Sequence, residues 1–266
     1  MELIEILGYV GALFVGLVLG LIGGGGSILT VPIMVYLIGL NPIVATAYSL
    51  FVVGVTSIFG AFQNYKKGFV DIKTAIIFAI PAFIVVYLTR RFIVPIIPDV
   101  VFTISDFEVT NNIFIMVFFA IVMLLASFSM IRGRKTVPHT EEQEIKYNYP
   151  LIAIEGTVIG VFAGIVGAGG GFLIIPTLVL LAKLPMKKAV GTSLFVIAVN
   201  SLFGFLGDLS NLVIDWPFLL TFTAISILGI LLGMSLSKFI SGKKLKKGFG
   251  YFTLIMAFYI VYKELF

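Results

Sequence analysis

Apolar residues form ten long blocks along this chain, separated by short polar stretches. Most blocks approach the ~20 residues with which a helix crosses a ~30 Å hydrocarbon core, whereas the blocks that begin at Ser27 and Gly171 are nearer a dozen residues. This pattern predicts an all-α polytopic membrane protein with two undersized helices. The blocks cover residues 3–22, 27–39, 42–63, 70–89, 110–131, 150–167, 171–182, 186–207, 216–240 and 248–262.

One polar stretch is long enough to divide the chain. Residues 132–149, RGRKTVPHTEEQEIKYNY, predict a solvated cytoplasmic linker between a first transmembrane repeat, 1–131, and a second, 150–266. The segment 95–112 predicts the other substantial loop. Glutamates rather than basic residues open the first apolar block, so we expect this block to be retained and not cleaved as a signal peptide.

The two halves share a sequence pattern. A shift of 144 residues aligns residues 16–71 with 160–215 without a gap, and 20 of these 56 pairs are identical. The identities include glycine, proline and serine positions, which a shared apolar composition does not easily align. The pattern therefore predicts a duplication with five segments in each half. Identical pairs include Gly23 with Gly167, Gly26 with Gly170, Pro32 with Pro176, Ser49 with Ser193, Ser57 with Ser201 and Gly60 with Gly204.

Basic residues predict how the segments cross the membrane. If the linker and the loops at 64–73, 183–188 and 238–247 are cytoplasmic, 15 of the 18 Lys and Arg residues lie inside, as the positive-inside rule favours. Equivalent loops of the two halves then fall on opposite sides, so the repeats are predicted to be inverted, which is a common plan of secondary transporters. A membrane scaffold assembled by duplication is the alternative. The basic residues left outside are Arg90, Arg91 and Lys263.

Composition agrees with a chain that lies in the bilayer. Hydrophobic residues make up 60% of the chain, charged residues make up 12%, and the mean hydropathy is +1.16, whereas soluble domains are roughly 45–50% apolar and about 25% charged. The net charge of +5 indicates topology rather than a nucleic-acid partner. The absence of cysteine excludes disulfides, thiolate metal sites and a cysteine nucleophile. We expect no cofactor and no metal.

A glycine cluster precedes each undersized helix. Runs of glycine break a helix, and non-helical backbone at membrane depth is tolerated where protein or a water-filled cavity satisfies it. A helix that begins after such a break offers N–H groups and a dipole that favour an anion. We therefore predict broken or re-entrant helices and a substrate site at the two breaks, the alternative being close helix packing. The candidate residues are Gly23, Gly24, Gly25, Gly26 and Ser27 in the first copy and Gly167, Gly169, Gly170 and Gly171 in the second.

The next helix of each half adds candidate side-chain donors. Ser49 and Thr56 share a helix face in the first copy, and Ser193 and Asn200 share the equivalent face in the second, beside Thr192. Hydroxyl and amide groups can donate to an oxyanion at a far lower cost than a buried charge. Serine and threonine in membrane helices often bond their own backbone instead, so Asn200 is the strongest of these candidates.

Ionisable residues within the apolar blocks are few. Glu155 is a candidate for coupling to a proton or another cation, the alternative being an interfacial carboxylate that reaches water. Asp71 and Asp215 occupy equivalent positions before helices and are predicted N-caps. Asp208, equivalent to Asn64, is predicted to lie at a helix end near the surface. The single histidine, His139, falls in the linker and is expected to be solvated.

The glycine motifs resemble those of a known family. GLIGGGGSILTVP and its second copy GIVGAGGGFLIIP, followed by ATAYSLFVV and VGTSLFVIAVNS, resemble the TauE/SafE sulfite exporter family, also called the toluene-sulfonate uptake permease family. The resemblance covers nearly the whole chain and implies transport of sulfur oxyanions or organosulfonates, such as sulfite, thiosulfate or sulfoacetate, across the cytoplasmic membrane. Tyr48 and Ser49 stand where the second copy has Thr192 and Ser193, so the halves are expected to contribute unequally.

These features together predict a multi-pass secondary transporter, in either direction, for a small anion. A carboxylate transporter or a passive anion channel of the same architecture is the alternative. An intramembrane enzyme is not expected, because the one histidine lies in a loop and cannot serve a buried nucleophile. No Gly-x-x-x-x-Gly-Lys-Ser/Thr motif is present, so transport would depend on a proton or sodium gradient, the membrane potential or the substrate's own gradient.

Overall fold

The computed structural model describes residues 3–104, 107–132, 149–180, 182, 184–237, 239 and 242–265. Within them the chain forms ten helices, one for each predicted apolar block, so the all-α polytopic architecture is confirmed. Nearly all of the predicted linker, His139 included, lies outside the described residues. The helices are α1 (Leu3–Ile22), α2 (Gly24–Leu37), α3 (Pro42–Lys66), α4 (Ile72–Ile96), α5 (Asn111–Ile131), α6 (Tyr149–Val166), α7 (Gly171–Leu180), α8 (Met186–Asp208), α9 (Trp216–Leu236) and α10 (Gly242–Leu265).

Helix length follows the apolar pattern. Five helices of the described chain are long and apolar enough to cross a membrane, namely α3, α4, α5, α8 and α9. The two helices after glycine clusters are short, as predicted. The first, α2, starts as a 3-10 helix over Gly24–Leu29 and ends as a π-helical turn over Ile33–Leu37. The second, α7, has 10 residues.

The segment between α4 and α5 differs from the prediction of an irregular loop. Strand β1 (Val100–Ile104) pairs antiparallel with β2 (Phe107–Thr110), and a bulge lies between Val100 and Phe102. The two strands are rich in β-branched and aromatic residues, which favour extended backbone. Hydropathy alone missed the hairpin because its apolar runs are far shorter than a membrane span.

In the packed structure, a helix of each half lies against a helix of the other half. Helix α1 packs on α9, and α6 packs on α4. A Cβ on Gly160 would lie 2.7 Å from the Ala82 carbonyl oxygen, and a Cβ on Gly16 would overlap the Ser226 carbonyl oxygen. Both members of the first contact differ by 144 from those of the second, and in each case glycine lets two backbones touch. The halves are therefore interlocked and do not form two separate bundles.

The equivalent helices α3 and α8 pack against each other in opposite directions. A Cβ on Gly54 would lie 2.9 Å from the Leu202 Cγ atom, and a Cβ on Gly60 would lie 3.0 Å from a Leu194 methyl carbon. The partner number falls as the residue number rises, which is the signature of antiparallel helices. Antiparallel packing of α3 and α8, the third segments of their halves, is what inverted repeats require, and the inversion of the whole repeats stays a prediction. The sides of the membrane on which the loops lie stay a prediction.

Helices α4 and α9 begin at the predicted N-caps. The Asp71 Oδ1 accepts the Thr74 backbone N–H at 2.9 Å, and the Asp215 Oδ1 accepts that of Phe218 at 3.2 Å. Each cap is also bound by the other half, since the Asp71 N–H donates to the Thr192 hydroxyl at 2.9 Å and the Asp215 N–H donates to the Tyr48 hydroxyl at 2.6 Å. These hydrogen bonds fix the start of α4 against α8 and the start of α9 against α3.

Candidate functional site

The glycine clusters turn the chain sharply after α1 and α6. Gly23 has a φ of 78° and Gly167 a φ of 71°, a left-handed conformation that other residues rarely adopt. The two turns then diverge, because Gly169 and Gly170 are also left-handed, whereas the first cluster passes directly into the 3-10 helix that opens α2. We call residues 23–26 the first break and residues 167–171 the second break.

The two breaks meet in the interior of the protein. A Cβ on Gly24 would lie 2.6 Å from the Gly171 carbonyl oxygen, and a Cβ on Gly171 would lie 2.5 Å from the Gly24 carbonyl oxygen. The Ile197 Cδ1 atom lies in the same place, 2.6 Å from where a Cβ on Gly24 would be and 2.5 Å from where a Cβ on Gly171 would be. Only glycine permits this approach of two backbones. The structure thus brings together the two motifs that are 144 residues apart in the chain.

Polar side chains without partners lie on α3 and α8 near this meeting point. Asn200 and Ser201 follow Ile197 by one helical turn, and the Ser201 hydroxyl faces Gly169. Neither atom of the Asn200 amide has a hydrogen-bond partner, and the residue is fully buried. Buried polar groups are nearly always bonded, so an unpartnered amide in a membrane protein marks a site that a ligand or water completes. The other buried hydroxyls without partners on these helices belong to Ser49, Thr56 and Ser57.

Other predicted residues have partners within the fold. The Ser27 hydroxyl donates to the Gly24 carbonyl at 2.8 Å, and the Ser193 hydroxyl donates to the Val190 carbonyl at 2.8 Å. The Thr192 hydroxyl accepts the Asp71 N–H and so lies at the start of α4 rather than at the breaks. The binding role that we predicted for Thr192 stays a prediction, with a structural role now visible beside it.

Three of the predicted glycines face side chains and backbone away from the meeting point. Gly25 faces the Ile22 side chain and Phe249, and Gly26 rests on the backbone of Leu19. Gly170 contacts Ile159 and Ala163 of α6, much as Gly26 contacts α1. These glycines allow each short helix to fold back along the helix before it.

Glu155 does not lie at the breaks. It lies in α6, twelve residues before Gly167, which directly follows the helix. At the rise of an α-helix the two residues are about 18 Å apart along the helix axis. The carboxylate is half-buried, and its Oε2 atom has no hydrogen-bond partner. The position fits a coupling group away from the substrate more readily than a substrate ligand.

Sequence reasoning missed a buried ion pair. Arg90 was expected outside the membrane and Asp208 near the surface, but the Arg90 Nε donates to the Asp208 Oδ2 at 2.7 Å and both side chains are buried. The Arg90 Nη1 donates to the Thr46 hydroxyl at 3.1 Å and to the Gly164 carbonyl at 3.3 Å. The expected exposure of both groups was wrong, because hydropathy ended the helix of Arg90 at residue 89 and could not show that its last turns pack inside the fold. The side of the membrane on which Arg90 lies stays a prediction.

A weak signal for this pair was present in the sequence. Arg90 is followed by further apolar residues up to Ile96, so α4 continues past the charge. Asp208 stands at the repeat position where the first half has Asn64. Burial of a charged side chain in a membrane protein costs free energy, and pairing with an opposite charge lowers that cost. An acid in one repeat with no acidic equivalent in the other, together with a basic residue inside a helix, therefore suggests that the two form a pair.

Comparison with known proteins identifies the family. The family model for the sulfite exporter TauE/SafE matches residues 9–260. This chain belongs to the TauE/SafE family. As a TauE/SafE protein it is a multi-pass membrane transporter, a class that is generally not enzymatic.

Relatives of the TauE/SafE chain carry matching names. A probable membrane transporter protein of Xylella fastidiosa (strain 9a5c) is 29% identical over 254 residues, 94% of this chain and 92% of the relative. The probable membrane transporter protein YunE of Bacillus subtilis (strain 168) is 26% identical over 272 residues, 96% of each chain. One of Haemophilus influenzae is 28% identical over 276 residues, 93% of this chain and 94% of the relative. No solved structure matches the chain.

Proposed function

We propose that this TauE/SafE chain is a secondary transporter of a small anion in the cytoplasmic membrane. The observation that carries the proposal is the meeting of Gly24 and Gly171 beside the unpartnered amide of Asn200. Two helices begin at these glycines, and their N-termini favour negative charge. A hydrogen-bonding amide beside two helix N-termini is suited to an oxyanion, which accepts several hydrogen bonds at once.

The substrate class follows from the family together with this chemistry. We propose a sulfur oxyanion or an organosulfonate, such as sulfite, thiosulfate or sulfoacetate. The neutral donors of α3 and α8 would bind the oxygen atoms, and the apolar side chains of Val53 and Ile197 would exclude water from the same place. Ser49, Thr56 and Asn200 are the proposed side-chain ligands, with the unpartnered hydroxyls of Ser57 and Ser201 next to them in the chain.

The proposed mechanism is alternating access. The interlocked packing of α1 on α9 and of α6 on α4 links each short helix to the opposite half, so one half cannot move without displacing a break. Two inverted halves can exchange conformations and open one central site to each side in turn. Glu155, with an unpartnered Oε2 atom at the far end of α6, is the proposed coupling group for a proton or sodium ion.

The test is transport by purified protein in liposomes. Labelled sulfite, sulfoacetate, lactate and pyruvate are supplied outside in separate assays, with a pH gradient, a sodium gradient or a membrane potential imposed in turn. We expect accumulation above the level set by passive equilibration, driven by one of these gradients. Equilibration without accumulation would support an anion channel, and accumulation of lactate or pyruvate alone would support a carboxylate transporter.

A glycine substitution tests the site in the same assay. Gly24→Ala places a Cβ 2.6 Å from the Gly171 carbonyl oxygen, so we expect the breaks to separate and transport to fall at least tenfold. Gly248→Ala is the matched control, because a Cβ at Gly248 in α10 meets nothing within 4 Å. Equal transport by the two variants would show that the meeting of the breaks is not the site.

A further inference from the structure

The guanidinium of Arg90 is enclosed by four helices. Arg90 belongs to α4, and its partners lie on α8 (Asp208), α3 (Thr46) and α6 (Gly164). The residue is fully buried, yet its Nη2 atom has no hydrogen-bond partner. Arginine has five donors and no acceptor, so the two N–H groups of Nη2 are unused while Nε and Nη1 are bonded.

This cation lies beside the second break. Its partner Thr46 is the residue against which Gly167 packs, since a Cβ on Gly167 would collide with Thr46. Its other partner, Gly164, is one turn earlier in α6 and packs against Thr89, whose hydroxyl is also buried and without a partner. Two unpartnered polar groups, the Arg90 Nη2 and the Thr89 hydroxyl, therefore lie on adjacent residues next to a glycine break.

The architecture does not require the ion pair. At the positions related by 144 residues the chain has Met234 for Arg90, Asn64 for Asp208 and Val190 for Thr46. Met234 lies against Gly20 and Val190 against Gly23, while the Asn64 amide donates to the Gly60 carbonyl of its own helix. Replacement of a buried ion pair by uncharged residues is often neutral or stabilising. The ion pair, which joins the two halves, therefore adds buried charge that packing alone does not explain.

We propose that Arg90 binds the transported anion directly and that Asp208 is its internal counter-ion when the site is empty. The inference rests on the proposed function and adds a cationic residue beside Gly167, at the start of the second break, rather than at the contact of Gly24 with Gly171. Asp208 accepts only from Nε, so an oxyanion can accept from Nη2 and from the Thr89 hydroxyl while the carboxylate is still in place. Arginine suits this task because its planar donors match the oxygen atoms of a sulfite or sulfonate group.

The experiment measures binding of sulfite and sulfoacetate by calorimetry and by thermal shift. The main variant is Arg90→Met with Asp208→Asn, which copies the pair found at the equivalent positions and leaves no buried charge alone. We expect this double variant to be as heat-stable as the wild type and to bind at least about 30-fold more weakly, the loss expected when a buried charged hydrogen-bond partner is removed. Wild-type affinity in the double variant would overturn the inference.

A second variant separates binding from a structural role. Asp208→Asn leaves the Arg90 charge without its counter-ion, so the ligand-free protein should melt at a lower temperature. If Arg90 binds the anion, sulfite should raise the melting temperature of this variant by more than it raises that of the wild type, because the anion replaces the missing charge. An equal or smaller rise would assign Arg90 to packing only. If the wild type binds neither anion and transports neither, the proposed function itself fails.

Discussion

Asn200 offers a test in which stability and affinity move in opposite directions. In the ligand-free protein both amide atoms are buried and unpartnered, and each such group costs about 1–3 kcal/mol. Asn200→Val removes the amide and keeps a side chain of similar size. We expect the variant to be more stable than the wild type by about 1 to 3 kcal/mol, because the apolar replacement needs no partner.

The same substitution should weaken binding. A hydrogen bond to a charged group contributes about 1.5–3 kcal/mol, so the dissociation constant for sulfite should rise by about 10- to 150-fold. Thermal unfolding without ligand and calorimetric titration with sulfite measure the two quantities. Asn200→Thr, which copies Thr56 of the first half, should be intermediate because one hydroxyl donor remains.

Thr223→Val is the matched control for Asn200→Val. Thr223 is also buried, but its hydroxyl donates to the Leu219 carbonyl at 2.7 Å, so its loss should leave affinity unchanged and stability equal or slightly lower. Unchanged affinity in Asn200→Val, or a loss of stability similar to that of Thr223→Val, would refute the view that the Asn200 amide binds the anion. The amide would then be a packing group with an ordered water.

Two further predictions concern residues away from the breaks. Glu155→Gln should leave sulfite affinity unchanged, because Glu155 lies about 18 Å from Gly167 along α6, and should reduce gradient-driven accumulation in liposomes; retained accumulation would exclude Glu155 from coupling. Asp215→Ala removes the cap that accepts the Phe218 N–H and should cost about 1 kcal/mol of stability with no change in affinity. An unaltered melting temperature would show that the Tyr48 contact alone holds the start of α9.

The helices and their breaks were predictable because they depend on local patterns. Each apolar block became a helix, and the two helices after glycine clusters came out short, since a membrane segment must satisfy its own backbone. Asp71 and Asp215 cap their helices as expected, because a cap needs only the residues that follow it. The hairpin between α4 and α5 escaped prediction, since strand pairing depends on a register that hydropathy does not report.

The candidate site was predictable only in part. Repeat symmetry pointed to the two breaks and to Asn200, and the structure brings Gly24, Gly171 and the helix of Asn200 together. The same symmetry pointed to Thr192, whose hydroxyl accepts the Asp71 N–H at the start of α4; its binding role stays a prediction. A repeat pattern shows which positions are equivalent but does not show which of their atoms face one another.

The sequence by itself determined which segments lie in the membrane, where the helices break and which positions of the two halves correspond. Those properties follow from hydrophobicity, glycine and caps within a few residues of each other. Only the tertiary structure decided that Arg90 meets Asp208, 118 residues away, and that Gly24 touches Gly171. Contacts of this kind depend on how helices from the two halves pack, and that packing places an arginine of α4 inside the protein as a buried charged group.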